Sequence, residues 1–415
     1  MSAKPNILWI VTTQWRASAT GYAGDPNART PQLDALAAES VNYTQAVTPH
    51  PFGPFARAAM LTGVPSPENG VRDYFDPLPV TARTVAHEMK ERCYATAFFG
   101  KWHLGKRDPS APLVGEAHAK MIVPPEARGG FEHWLGFESG FLLNNPWLHG
   151  TLRGFEAPKM LPGYQSDVLL EYWAYWMTQH GKIGPNFTVV SLEAPHPPYD
   201  APAAGVKGRE PGEIILPANV PRGGEAEAKA RKELAGYYAH IEATDRVIGE
   251  FCKLTRQNWI VVSTSVHGDM HGAHGLFRKG WPYEESVRVP LLIRAPGVKA
   301  RQDDAAVSLV DLAAMTTRWA ENGVGEVSDL SWIGRGGSEA RPTSARISMP
   351  SVVALPHQCD RVWRGVRTKT RKLVLTADGT PWLFFDLERD PLEMKNLAGE
   401  PARAAEIEEL RRSVG

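Results

Sequence analysis

Lysine and histidine recur in short motifs along this chain: Lys101 and His103 in FFGKWHLG, His196 in APHPPY, and His267, His271, His274 and Lys279 in VHGDMHGAHGLFRKG. Side chains of these types bind anions through charge-assisted hydrogen bonds and transfer protons near neutral pH. A lone Lys or His is more often solvated or structural, so what counts is their joint occurrence. His271 and His274 read as loop structure, and Asp269, Glu284 and Glu285 as carboxylates held in local hydrogen bonds. Cysteine offers less: Cys93, Cys252 and Cys359 are odd in number and widely spaced, giving neither a disulfide framework nor a CxxC metal site. Lys+Arg and Asp+Glu both number 46, so no overall charge draws the chain to nucleic acid or to an anionic membrane.

The elements that must position these residues are legible in outline. Residues 6–13 form an apolar, β-branched run, as a buried parallel strand requires. Thr30-Pro31 predicts a helix with Thr30 as N-cap and Pro31 in the first turn. A second helix is predicted over 82–92, strands over 94–99, 187–192, 259–263 and 289–294, and a long amphipathic helix over 225–254. Strands alternating with helices predict an α/β fold with a central, mostly parallel sheet flanked by helices. Long Gly-, Pro- and Trp-rich loops at 106–163 and 195–224 are expected to line a binding site. The Gly/Ser-rich stretch 322–342 separates an α/β domain (1–325) from a small C-terminal α+β unit (343–415) with alternating segments at 362–374 and 383–385 and a helix near 402–413. The N-terminal apolar run, residues 7–11, is too short for a signal sequence. No window approaches the about 18 apolar residues of a membrane span. A cytoplasmic location is therefore expected.

Five blocks carry a family resemblance. NILWIVTTQWR, PFGPFARAAMLTG, FFGKWHLG, STSVHGDMHGAHGLFRKGWPYEESVRVPLLIRAPG and FFDLERDPLEMKNLA together resemble sulfatases and phosphonate monoester hydrolases of the alkaline phosphatase superfamily. The resemblance implies that superfamily's fold. It also implies that Lys101, His103, His196 and Lys279 face a sulfate or phosphate group, and that Arg57 props the loop that carries the nucleophile. The helix after that loop adds free backbone N–H groups that suit an anion.

The departures from the family are as informative. Where the family ends its first strand in a metal-binding Asp, this chain has Thr13 and then Gln14. Where the second metal strand ends in Asp-His or Asp-Asn, it has Val266-His267. Oxygen-ligated divalent cations need carboxylates, so neither metal nor other cofactor is expected. Counting back four residues from Arg57 reaches Gly53 at the nucleophile position, or Phe52 if Phe55 is an insertion; neither can attack sulfur or phosphorus. Thr48 and Thr13 carry hydroxyls away from that position. Trp15, Phe52 and Phe55 read as plain core.

The resulting expectation is a metal-independent enzyme that binds a small-molecule sulfate ester and promotes loss of sulfate by attack of the substrate's own amine. Lys101, His103 and His267 are the expected catalytic residues. Lys279, His196, Arg57, Thr13 and Gln14 are the expected substrate-binding residues. The pattern of lost and kept residues is similar to the sulfatase-like branch of bacterial pathways to aziridines of the azinomycin type, where a sulfotransferase installs the leaving group and would be a partner here. The alternatives are a catalytically silent protein binding an anion or a partner enzyme, and residual ester hydrolysis by an activated water.

Overall fold

The computed structural model describes residues 4–181, 183–255, 258–323 and 343–414. Most of the stretch 322–342 therefore lies outside the described residues. Ten strands make one sheet: β1 (Asn6–Thr12), β2 (Val41–Tyr43), β3 (Ala95–Lys101), β4 (His133–Phe137), β5 (Trp147–Gly150), β6 (Lys159–Met160), β7 (Asn186–Ser191), β8 (Trp259–Ser265), β9 (Leu291–Arg294) and β10 (Arg301–Asp303). Their spatial order is β10-β2-β9-β8-β1-β7-β3-β4-β5-β6. The centre, β8-β1-β7-β3-β4, is parallel. The sheet turns antiparallel toward its margins at β8-β9, β9-β2, β4-β5 and β5-β6. The expected α/β architecture is thus present as a mixed sheet with a parallel heart.

Strand β1 shows why that heart is apolar on both sides. Ile7, Trp9 and Val11 pack into the core on one face, Leu8 and Ile10 into the core on the other, and all are buried. Helices cover both faces. The Glu225–Leu254 helix, the longest described, has the expected bounds. The predicted helix over 82–92 is shorter, Val85–Glu91, and begins at a Thr84 cap.

Two expectations are corrected. The loop 106–163 holds β4, β5 and β6, short strands whose pairing depends on neighbours distant in sequence. Thr30 stands before the Pro31–Ala38 helix but does not cap it: its hydroxyl accepts the Gly21 N–H and donates to Asp34. The helix is capped instead from across the fold, where the Asp245 carboxylate accepts the N–H groups of Gln32 (3.0 Å) and Leu33 (2.8 Å). Asp245→Ala is expected to destabilise the protein by about 1–2 kcal/mol, the worth of a lost N-terminal cap. The shift in the urea midpoint checks this, and an unchanged midpoint would remove the assignment.

The C-terminal unit is a separate antiparallel sheet of β11 (Ser344–Met349), β12 (Trp363–Thr368), β13 (Arg371–Thr376) and β14 (Pro381–Asp386), in that order. The segment expected at 362–374 is a hairpin, β12 turning into β13. The Ala404–Val414 helix closes this unit through Ile407, which packs with Val366, Leu373 and Phe384. All three cysteines are free. No helix among the described residues is long and apolar enough to cross a membrane.

Candidate functional site

The parallel strands deliver the motif residues to one edge. β1 runs into Thr13 and Gln14, β8 into Val266 and His267, β3 into Lys101 and His103, and β7 into Glu193 and His196. These strands are neighbours, and the carboxyl ends of parallel strands are where such sheets bind ligands. Lys279 arrives from the loop after β8. A cleft of about 690 Å³ opens there, with Lys279 and His196 in its floor. Phe141 from the 106–163 loop and Pro197 to Asp200 from the 195–224 loop form its sides, as expected of both loops.

Lys279 is the charge that defines the floor. It is 8% exposed, and its ammonium donates to Gln14 Oε1 at 2.6 Å and to His196 Nε2 at 3.0 Å, both neutral acceptors. Among the described residues no carboxylate lies within ion-pair distance of it. Burial first, then the neighbouring Lys101 ammonium, pushes its pKa down to about 7. A bound anion would supply the counter-charge this ammonium lacks. Gln14 is fixed for its part: its amide donates to Asp269 and to Tyr199, leaving the carbonyl for Lys279. Asp269 also accepts from the Tyr199 hydroxyl and the His271 N–H. Gly236 lets the long helix touch this layer, because a Cβ there would overlap the Tyr199 carbonyl.

His196 lies on the Phe141 ring, 4.4 Å between centroids and nearly parallel. Its Nδ1 donates to the Pro197 carbonyl at 2.8 Å, so Nε2 is the acceptor, taken up by Lys279. Burial, then Lys279 and Lys101, hold it well below the usual histidine range, so the ring is neutral near pH 7. The Glu193 carboxylate is 3.6 Å from Nδ1.

The remaining predicted residues lie behind that floor. Lys101 is buried and paired with Glu193 at 2.6 Å, so it does not face open space as expected; a buried ammonium is stabilised by its own carboxylate. The pairing keeps its pKa lowered only to about 8, burial being the main cause. His103 accepts from Arg107 at Nε2, 2.9 Å; because guanidinium has only donors, the ring proton is on Nδ1, which has no partner. His267 donates from Nδ1 to the Gly268 carbonyl at 2.9 Å, and its buried Nε2 lone pair is likewise unpartnered. His103 and His267 do not border the cleft. Arg57 donates to Thr13 Oγ1 (2.8 Å), Ser191 and the Lys101 carbonyl, and Thr13 donates to the Leu192 carbonyl. Arg57 and Thr13 therefore brace the strand ends from beneath. Glu284 is held by Arg367 and Lys372, and Glu285 by Asn219; both carboxylates are bound, but by partners distant in sequence rather than by the local hydrogen bonds expected.

Gly53 opens the Gly53–Thr62 helix, and a Cβ built on it would lie 2.8 Å from His103 Nδ1. Phe52 is packed against Tyr74 in the core. Gly53 bears no side chain, and the Phe52 ring lies 5.7 Å from the Lys279 ammonium, so neither candidate brings a nucleophile to the site. The oxygens at the strand ends do not fit a divalent cation either. Thr13 Oγ1 accepts from the Arg57 guanidinium, Gln14 Oε1 accepts from the Lys279 ammonium, and Val266 has no donor. A dication there would meet two positive groups and no free carboxylate. Sequence reasoning missed Glu193, Arg107 and Tyr199. Glu193 was within reach of it, three residues before His196 in the same motif.

A family model described as Sulfatase matches residues 5–322. The Ulvan-active sulfatase of Formosa agariphila is 34% identical, over 96% of this chain and 78% of its own length. Among solved structures, the yidJ protein of Bacteroides fragilis superposes with a TM-score of 0.84 at 24% identity, covering 99% of this chain and 94% of its own. The phosphonate monoester hydrolase of Agrobacterium radiobacter does so with a TM-score of 0.73 at 20% identity, covering 99% and 94%. These two are likenesses of fold.

Proposed function

The chain belongs to the sulfatase family, and we propose that within it this protein is a metal-independent enzyme that expels sulfate from a small-molecule sulfate ester by attack of the substrate's own amine. One observation carries the reading: an uncompensated buried ammonium, Lys279, borders the cleft beside a neutral histidine, His196, and neither Gly53 nor Phe52, the two candidates for the nucleophile position, carries an attacking group. Such a floor can hold a leaving sulfate and accept a proton, and it lacks the hydroxyl or thiol that would attack the ester.

The chemistry balances without further groups. The ester's sulfate accepts the hydrogens of Lys279, the ammonium that borders the cleft. That releases His196 Nε2 from Lys279 and leaves its lone pair free to accept a proton. The neutral amine attacks the carbon that bears the sulfate: an N–C bond forms, the C–O bond breaks, and its electron pair leaves with sulfate. The amine proton passes to His196, whose imidazolium has Glu193 and the Pro197 carbonyl on its other nitrogen. A free alkyl amine has a pKa near about 10.4 and must lose its proton to attack; the cations of the floor lower that value. Because amine and carbon already belong to one molecule, what the protein adds is to hold the chain in its in-line, near-attack conformer. In this reading the base is His196, because it borders the cleft, whereas His103, His267 and Lys101 act from behind.

The test is direct. With EDTA-treated protein and 2-aminoethyl hydrogen sulfate, the expected products are inorganic sulfate and a compound lighter than the substrate by the elements of sulfuric acid, seen by mass spectrometry. The 34% identity to an enzyme named as a sulfatase favours a second reading, in which water replaces the amine and the free amino alcohol appears. Binding without turnover would make the protein a silent anion binder.

A further inference from the structure

The cleft is larger than one sulfate needs, and its charge is lopsided. Lys229, Lys232, Arg278 and Lys279 border it against only Asp200 and Glu233. Glu233 is committed to Arg278 through two hydrogen bonds of 2.7 and 2.9 Å, and Arg278 also lies 3.9 Å from Asp269. Lys229 and Lys232 are left over. They stand three residues apart on the Glu225–Leu254 helix, so both project from one face of it. Among the described residues neither has a carboxylate within ion-pair distance.

Lys229 is also held in place. Its ammonium is 4.4 Å from the Phe277 ring centroid and 2.8 Å from His357 Nε2. His357 belongs to the segment between β11 and β12 and has a left-handed backbone (φ 65), which a non-glycine residue adopts when its surroundings fix it. Burial and Lys229 lower its pKa, so it receives that ammonium as a neutral ring. The next residue, Gln358, accepts the Lys279 backbone N–H at 3.2 Å. One short segment of the C-terminal unit therefore ties the mouth of the cleft to its floor.

We propose that Lys229 and Lys232 form a second anion subsite at the cleft mouth, so that the substrate is a sulfate ester carrying a further acidic group, a carboxylate or second sulfate, on the same skeleton. The inference rests on the cleft being the sulfate-ester site. The apolar wall between the two charges, including Phe141, Leu113 and Leu355, suits the intervening carbon framework.

The test uses two ligand series on the whole protein at fixed low ionic strength: n-alkyl sulfates, and ω-sulfooxy carboxylates of matching chain length. Calorimetry is expected to show a chain length at which the carboxylate-bearing ester binds about tenfold more tightly than its alkyl partner. The Lys229→Gln/Lys232→Gln protein, which keeps both side-chain stems, is expected to bring that ratio to about one while leaving alkyl sulfate affinity unchanged. Parity at every length in the unaltered protein, or a preference that survives the double substitution, overturns the subsite alone. If neither series binds the unaltered protein, Lys279 is not a sulfate seat, and both readings fall together.

Discussion

Replacing Lys279 by methionine is expected to abolish binding of inorganic sulfate and to lower kcat/KM on an amino sulfate ester by about 10²–10³-fold, the usual cost of one charge-stabilising donor. The same substitution is expected to leave the fold at least as stable at pH 7. The reason is linkage. Lys279 has a folded-state pKa pushed down to about 7, below its value in the unfolded chain, so the folded protein binds fewer protons between those values. Burying this ammonium therefore destabilises the fold at and below pH 7, by about 1.4 kcal/mol for each pH unit of displacement, and the penalty fades as pH rises toward the unfolded value. Methionine removes the penalty and keeps the length. Sulfate binding has the opposite dependence: it is strongest where Lys279 is charged and weakens as pH rises through about 7. Titration calorimetry from pH 6 to 9 checks the sign. Sulfate affinity that is flat with pH, or retained by Lys279→Met, would mean that another group holds the anion.

The second large effect is expected at His196. His196→Gln keeps a polar side chain beside Phe141 but removes the basic nitrogen, and kcat is expected to fall by about 10²–10⁴-fold, as for loss of a general base. Sulfate affinity should stay within about twofold, because Lys279 and Gln14 remain. That split separates a proton acceptor from a merely structural residue, whose loss would weaken binding as well. His103→Gln and His267→Gln provide the contrast: if either lowers kcat as far with sulfate binding intact while His196→Gln does not, the base has been misassigned. His196 is held well below the usual histidine range, so its neutral form persists across pH 6–8 and its own titration adds no limb there.

Sequence and structure agree most closely where chemistry is local. Residues 6–13 are apolar on both faces and could only be a buried strand; β1 follows them nearly residue for residue. The Glu225–Leu254 helix was legible because its apolar period persists over many turns. Lys279 and His196 were legible from short motifs. What they do to each other was not, because their contact joins residues 83 apart in the chain. Lys101 shows the limit clearly: its motif marks it as anion-facing, yet Glu193, just beyond the end of β7, already neutralises it. Strands β4 to β6 escaped notice because each is short and gains its hydrogen bonds only from a partner already in place. Thr30 has the right residue type for a cap, but a better acceptor, Asp245, reaches the same helix from elsewhere.

In the proposed reaction the attacking group comes from the substrate and strikes carbon. Turnover of 2-aminoethyl hydrogen sulfate by metal-depleted protein in H2¹⁸O tests it most directly. Attack by the amine at carbon predicts sulfate released with all four original oxygens and an organic product without ¹⁸O. Label in the sulfate would show water attacking sulfur, label in a free amino alcohol would show water attacking carbon, and either result rules out attack by the amine.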